Sequence, residues 1–271
     1  MKSLINYKNV LVTGVSSGIG REIASLLATQ GARVFGTVRK KESAQPISGV
    51  ELVEMDVNDH FVVNATVASI QKQVGPIHYL INNAGSALTG AIEETSIEEA
   101  RQQFETNFFG LFRVTKAVLQ GMREQKFGRI INISSALGFL PSPGLGFYGA
   151  SKHALEGFTE TLDHEVRTFG VRALLVEPAY TKTNFGTSSQ PVAVKLPAYE
   201  KLRETMKAVR DWSIENGEPA SGVAQVVLSA LTASNPKLRY PVGKAITFSR
   251  LRRFVPAKGF DKTLRKKWKL D

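Results

Sequence analysis

The sequence predicts a single doubly wound α/β domain, a seven-stranded parallel sheet with helices on both faces. Three observations predict it. Strand-like runs alternate with helix-length amphipathic segments up to Pro178. A glycine-rich turn, Thr13-Gly14-Val15-Ser16-Ser17-Gly18-Ile19-Gly20, joins the first run to the first helical segment. The 271 residues are 42% hydrophobic, enough for one α/β core, and no internal repeat or low-complexity tract divides them.

In chain order, Asn9–Thr13 and Arg33–Val38 read as the first two strands. Gly18–Gln30 between them keeps Ile19, Ile23, Leu26 and Leu27 on one helical face, and Gly31 suits the helix end. Glu51–Met55 and Ile77–Ile81 read as strands three and four, Arg129–Ser134 and Arg172–Val176 as five and six. Helices such as Glu98–Glu124 and Tyr148–Arg167 lie between them. Right-handed crossovers then place a binding crevice at the carboxyl ends of the strands. The alternation stops after Glu177-Pro178. Residues 181–217 hold Pro191, Pro197, several Ser and Thr, and one helix near Ala198–Ser213; so long a connection reads as a substrate lid. Pro219 and Ser221 open a helix through Leu231, and Arg239–Phe248 reads as the last strand.

Composition excludes several chemistries. Cysteine is absent, which removes disulfides, thiolate nucleophiles and Cys-ligated zinc; no metal site is expected, and a reducing, cytoplasmic setting fits. Met1 to Val10 alternates polar with apolar residues, so no signal peptide is expected, and no run approaches a membrane span. Asn64-Ala65-Thr66 and Asn132-Ile133-Ser134 match a glycosylation pattern that matters only in a secreted chain. The formal charge of +11 is not spread over the fold. From Asn235 to Asp271 there are twelve Lys or Arg against two Asp, a net of +10, leaving about +1 for the rest. With terminal charge and no basic-aromatic binding motif, no nucleic-acid partner is expected.

The glycine-rich turn has the right position to receive a pyrophosphate. Glycines let the backbone bend sharply and bring an anion to the free N–H groups of a helix N-terminus. Gly14-Val15-Ser16-Ser17-Gly18 also satisfies the nucleophile elbow of a hydrolase, but it sits on the first strand. No Asp and His pair follows in strand-end loops, since His153 and His164 both fall inside the Tyr148–Arg167 helix. At the end of the second strand, where an NAD site offers a carboxylate, the chain reads Thr37-Val38-Arg39-Lys40-Lys41. Three bases and no acid there favour NADP(H), whose 2′-phosphate an arginine can grip through two N–H groups.

Tyr148 and Lys152 stand at i and i+4, on one helical face. An ammonium beside a phenol favours the ionised phenol, bringing its reference pKa of about 10 toward the range useful for proton transfer. Ser135 ends the fifth strand, Asn82-Asn83-Ala84-Gly85 ends the fourth, and Asn107 puts an amide into an otherwise apolar helix.

This ordered set (T-G-x-x-x-G-x-G, N-N-A-G, an Asn–Ser–Tyr–Lys tetrad and Pro178 after the sixth strand) resembles the short-chain dehydrogenase/reductase family over nearly the full chain. The resemblance implies a Rossmann-type sheet of order 3-2-1-4-5-6-7 and hydride transfer between a nicotinamide and a carbonyl or secondary alcohol, chemistry at CH–OH groups. It implies that Tyr148 is the general acid or base and that Lys152 holds the nicotinamide ribose and lowers the tyrosine pKa. It further implies that Ser135, rather than Ser134, bonds the substrate oxygen, and that Asn107 supports a water in the proton relay. Gly14, Ser16, Ser17, Gly18, Ile19, Gly20 and Arg39 would meet the cofactor phosphates and ribose. Asp56 and Val57 would lie at the adenine, with Asn83, Ala84 and Gly85 beside adenosine. Pro178, Thr181 and Thr183 would flank the nicotinamide. The chain departs from the family at Ala179, where a glycine is usual. Subunits would pair as a homodimer or homotetramer through the helices near Glu98–Glu124 and Tyr148–Arg167.

Phe185, Val192, Val194, Leu196, Tyr199, Leu202 and Met206 in the lid, with Phe139, Leu140, Leu145 and Phe147 before the tyrosine, suit an apolar wall for a steroid-, retinoid- or long-chain-like substrate. They equally suit packing of lid against core. Arg239-Tyr240-Pro241-Val242-Gly243 and the extended end resemble retinol and 17β-hydroxysteroid dehydrogenase-like members. Phe260, Leu264 and Trp268 recur every four residues among Lys262, Arg265, Lys266, Lys267 and Lys269 in the extension 249–271. This basic amphipathic helix fits either packing on the parent fold or contact with a membrane surface. Two rival functions remain: a 3-oxoacyl-carrier-protein reductase docking an acidic carrier, and a non-catalytic NADP-binding sensor. The sensor has no chemical need of Tyr148 and Lys152 together.

Overall fold

The computed structural model describes residues 5–183 and 189–268, with no account of the side chains of 213, 214, 267 and 268. The central strands are β1 Asn9–Val12, β2 Arg33–Val38, β3 Val50–Glu54, β4 Tyr79–Asn82, β5 Gly128–Ile133, β6 Val171–Pro178 and β7 Arg239–Val242. All pair in parallel, in the order 3-2-1-4-5-6-7. Their limits fall within two residues of expectation, except for the last.

The strands alternate their side chains between two apolar layers. On one face Val10, Val12, Ile81, Ile131 and Val176 meet α1 (Gly18–Thr29) and α7 (Ala220–Thr232) through Ile23, Leu27, Val223 and Val227. On the other, Leu11, Phe35, Leu80 and Ile130 meet α2 (His60–Val74), α4 (Leu111–Glu124) and α5 (Gly146–Val166) through Val67, Val118 and Leu162. Helices cover both faces because both are apolar.

Three elements differ from expectation. The sequence pattern marks no element between Met55 and Ile77, yet α2 runs there. Its β-branched residues mask the helical period, while Asp59 caps it by accepting from Phe61 N (2.9 Å) and Val62 N (3.0 Å). The long helix expected over Glu98–Glu124 is divided into α3 (Ile97–Phe104), a π turn (Glu105–Gly110) and α4. The last strand stops at Val242, not Phe248. Gly243 takes φ +59°, and α8 (Ala245–Phe254) and α9 (Ala257–Trp268) follow. Ala245, Phe248, Phe260 and Leu264 pack with Ala136 and Leu140, a tertiary contact that overrides the strand-like run Ala245-Ile246-Thr247-Phe248. Phe260 and Leu264 of α9 are thus turned toward the parent fold.

Two short strand pairings hold the 181–217 segment. Thr181–Lys182 pairs with Glu218–Pro219, and Gln190–Pro191 with Leu88–Thr89. Its helix, α6, covers Glu200–Glu215. Buried Glu94 accepts from Leu196 N (2.8 Å) and pairs with Arg203 of α6. Phe185 lies outside the described residues.

Candidate active site

The carboxyl ends of the strands open into one cavity of about 960 Å³. It is lined by Gly14, Ser16, Ser17, Gly18, Ile19, Arg39, Asp56, Val57, Asn83, Ala84, Gly85, Ser135, Tyr148, Lys152, Pro178, Thr181 and Thr183. Of the residues expected at the site, Gly20 and Asn107 do not line it.

The glycine turn is shaped for an anionic group. Gly14 and Gly18 have φ +71° and +59°, and a Cβ on Gly14 would lie 2.9 Å from Ala84 Cα. A Cβ on Gly20 would collide with Asn83 and the Gly14 carbonyl, so Gly20 serves close packing. Ser17, the N-cap of α1, makes no side-chain cap bond, and the first turn holds no acid. The helix therefore turns free N–H groups and an uncancelled dipole toward the cavity. Residues the sequence did not single out hold this turn. Thr13 Oγ1 accepts from Asn83 N and Ala84 N, both at 3.0 Å, and Thr37 Oγ1 accepts from Gly14 N at 3.2 Å. The Asn83 amide donates to the Thr13 and Gly14 carbonyls (3.0 and 2.9 Å), bracing the turn.

Tyr148 and Lys152 stand one turn apart on α5, both buried. Lys152 Nζ donates to the Ile133 carbonyl at 2.9 Å and lies 5.8 Å from the centre of the Tyr148 ring. The Tyr148 hydroxyl is hydrogen-bonded to Ser135, whereas Ser134 Oγ turns away and donates to Glu156 Oε1 at 2.8 Å. The expected lowering of the phenol pKa is not found. Burial pushes Tyr148 up to about 12 against a smaller downward pull from Ser135, and pushes Lys152 down to about 8 against the Glu156 carboxylate. Desolvation disfavours both charged forms.

Asn107 is tied to two neighbouring elements. It is buried in the π turn; its Nδ2 donates to Ser86 O (3.0 Å) and Ser151 Oγ (3.2 Å), and its Oδ1 accepts from Ser86 N (2.9 Å). Gln103 grips the same stretch through Ser86 O and Leu88 N. Asn107 thus ties the loop after β4 to α5. Ala179 has no positive φ and packs near Leu140, so the backbone accepts its methyl where a glycine is usual.

Beyond Tyr148 the cavity walls turn apolar. Leu140, Leu145, Val192, Leu202 and Met206 line it as expected, joined by Leu137, Val209, Phe248, Leu251 and Leu264. Phe139, Phe147, Val194, Leu196 and Tyr199 do not reach it.

Behind Lys152 lies a charged cluster with no local sequence sign. Arg239 of β7 bonds Glu156 Oε2 (2.6 Å) and Glu160 Oε1 (2.8 Å) and pairs with Glu177. Burial and the like charge of Glu156 push Glu177 up to about 7, against the pull of Arg239.

A phenol, a hydroxyl and an amine on a cavity that the glycine-rich turn also lines define the class, an oxidoreductase. Residues 8–192 match the family model for short chain dehydrogenase. The chain is 35% identical to a 3-ketodihydrosphingosine reductase of Bacteroides thetaiotaomicron, covering 91% of this chain and 93% of that one. It is 36% identical to an NADPH-dependent 3-dehydrocapnine reductase of Ornithobacterium rhinotracheale, covering 93% and 94%. A crystal structure of a short-chain dehydrogenase from Streptomyces avermitilis superposes with a TM-score of 0.83 at 32% identity, over 97% and 96% of the two chains. The chain belongs to the short-chain dehydrogenase/reductase family. Among the described residues no helix is long and apolar enough to cross a membrane.

Proposed function

We propose that the protein is an NADPH-dependent reductase of a ketone carried on a long apolar chain. The observation that carries this is the continuity of the cavity, from the glycine turn past Ser135 and Tyr148 to the walls formed by Leu202, Met206, Phe248 and Leu251. The names of two relatives, reductases of 3-keto and 3-dehydro compounds and one NADPH-dependent, point the same way.

Bound NADPH supplies the hydride that adds to the carbonyl carbon. Tyr148 gives its phenolic proton to the carbonyl oxygen, so the ketone becomes a secondary alcohol and NADP⁺ is left. Ser135 donates to that oxygen and Lys152 holds the nicotinamide ribose. The first turn of α1 receives the pyrophosphate, with Arg39 on the 2′-phosphate. The 181–217 segment is the lid, and α8 and α9 complete the wall of one domain. Subunits pair through α4 and α5, where exposed Phe112 stacks edge-on against Phe158, with exposed Phe109 in the π turn just before α4.

NADPH oxidation is to be followed with a series of 3-keto compounds of increasing chain length. kcat/KM is expected to rise with length until the apolar walls are filled; equal values along the series would contradict the long-chain assignment. A carrier-bound 3-ketone belongs in the same series, since Lys195, Lys207 and Arg210 on the lining suit an acidic carrier. Salt-sensitive preference for it would favour a 3-oxoacyl-carrier-protein reductase.

Arg39→Asp is expected to raise the KM for NADPH about 10- to 100-fold with little change for NADH, the loss of one charge-assisted contact. Steady-state kinetics with both cofactors checks it; equal effects on the two would remove Arg39 from the phosphate.

A further inference from the structure

We infer that the outer side of α8, together with Trp212 of α6, is a docking surface for an anionic lipid bilayer. Ile246 (39% exposed), Leu251 (41%) and Phe254 (77%) project from α8, and Trp212 is 50% exposed. At 3.6 residues per turn the three α8 residues fall within one arc of about 140°. The opposite side of the helix is already used, with Ala245, Phe248 and Val255 packed against Leu140 and Phe260. Lys244, just before α8, lies 5.0 Å over the Trp212 ring and makes the two helices one surface.

Charge selects the occupant. Arg250 flanks Phe254 on the exposed arc and Arg253 follows at its edge, α8 holds no acid, and α9 adds exposed Lys258, Lys262, Arg265 and Lys266 with Asp261 alone against them. A helix with aromatic and aliphatic residues set among arginines is the form that lies in the headgroup region of anionic membranes. The exposed Ile92 and Ile97 lack this setting, since they stand among Glu93, Glu94, Glu98 and Glu99. Two copies meeting on this face would set like charges together. A polyanion without an apolar phase would leave Phe254 and Ile246 unused.

The surface also surrounds the cavity mouth. Leu251 lines the cavity and is exposed at once, with Val255 beside it on the lining. A docked molecule would therefore face its apolar chamber toward the lipid, and an apolar chain could enter without crossing water. The surface itself does not depend on the substrate assignment.

The test is flotation of the full-length protein with phosphatidylcholine vesicles, with and without phosphatidylglycerol. Binding is expected only to the anionic vesicles and is expected to weaken with salt. Ile246→Ser with Phe254→Ser should lower partitioning about tenfold while keeping its salt dependence. Arg250→Glu with Arg253→Glu should lower it at least about tenfold at low salt. Turnover of a short, water-soluble ketone should be kept in both, showing that they fold and separating this result from the assignment above. The chain has two tryptophans, so in Trp268→Phe a blue shift of the remaining emission reports Trp212 at the lipid. Absence of flotation at low salt, or flotation unchanged in both double variants, would overturn the inference. So would self-association abolished by the same substitutions, which would make the face a protein interface. Salt-dependent binding of duplex DNA without vesicle binding would equally overturn it.

Discussion

Tyr148→Phe is expected to lower kcat for ketone reduction by about 10²- to 10⁴-fold, the usual contribution of a positioned general acid. The substitution removes one oxygen from a buried ring and leaves its packing in place. NADPH affinity, measured by fluorescence titration, should stay within about twofold, because the phenol belongs to the substrate side of the proposed site. Burial holds the hydroxyl protonated at neutral pH, with its pKa up to about 12, so the group is ready to donate rather than accept. The lysine supplies the pH limit. Its folded pKa is pushed down to about 8, so its positive charge is present below that value and lost above it. For the free enzyme, kcat/KM for reduction should be flat below about 8 and fall as pH rises through it. A variant retaining a tenth of wild-type kcat, or a profile level from about 7 to 10, would remove these roles.

Arg239→Met carries the largest expected effect on stability. Glu156 and Glu177 are buried, and Arg239 is the cation that bonds both. Removing one partner of a buried pair leaves an uncompensated charge and typically costs about 3–5 kcal/mol. The lower end, about 3 kcal/mol, is expected because the Arg239 side chain is 36% exposed and water shares its role. The pH dependence has a definite sign. Glu177 has a folded pKa raised to about 7 from its ordinary value of 4.5, so the folded state holds the extra proton between these values. Stability therefore declines as pH rises through that window. Without Arg239 the decline should steepen and extend upward, so the loss is greatest near pH 8 and shrinks near pH 5. Urea unfolding at the two pH values reads it directly. Glu177→Gln on the Arg239→Met background should recover part of the loss. A loss below about 0.5 kcal/mol at pH 8 would mean that the carboxylates are held by something else.

Much of the site was legible in the sequence because its chemistry is local. Gly14, Gly18 and Gly20 are spaced by what one turn requires, and Tyr148 and Lys152 by the pitch of one helix. Arg39 was legible because strand two ends one residue before it. What escaped depends on distant parts of the chain. Thr13 braces Asn83 from 70 residues away, and Arg239 reaches Glu156 across 83. Neither spacing has a period to read. Spacing shows the neighbouring charge but not the loss of water around both groups, so the upward push of burial on the Tyr148 phenol was not legible. The Ala245–Phe248 run illustrates the same limit for the fold. Its residues favour a strand, and only the cluster around Leu140 and Phe260 makes a helix the better use of them.

The wide turn at Glu105–Gly110 has a further consequence. Its looser winding sets α4 out of phase with α3. Gln103 and Asn107 both reach Ser86 from this stretch. Deleting one residue here would restore ordinary winding and swing everything downstream by roughly 100°. The helix would survive, while its grip on the loop beneath the reacting groups would be lost.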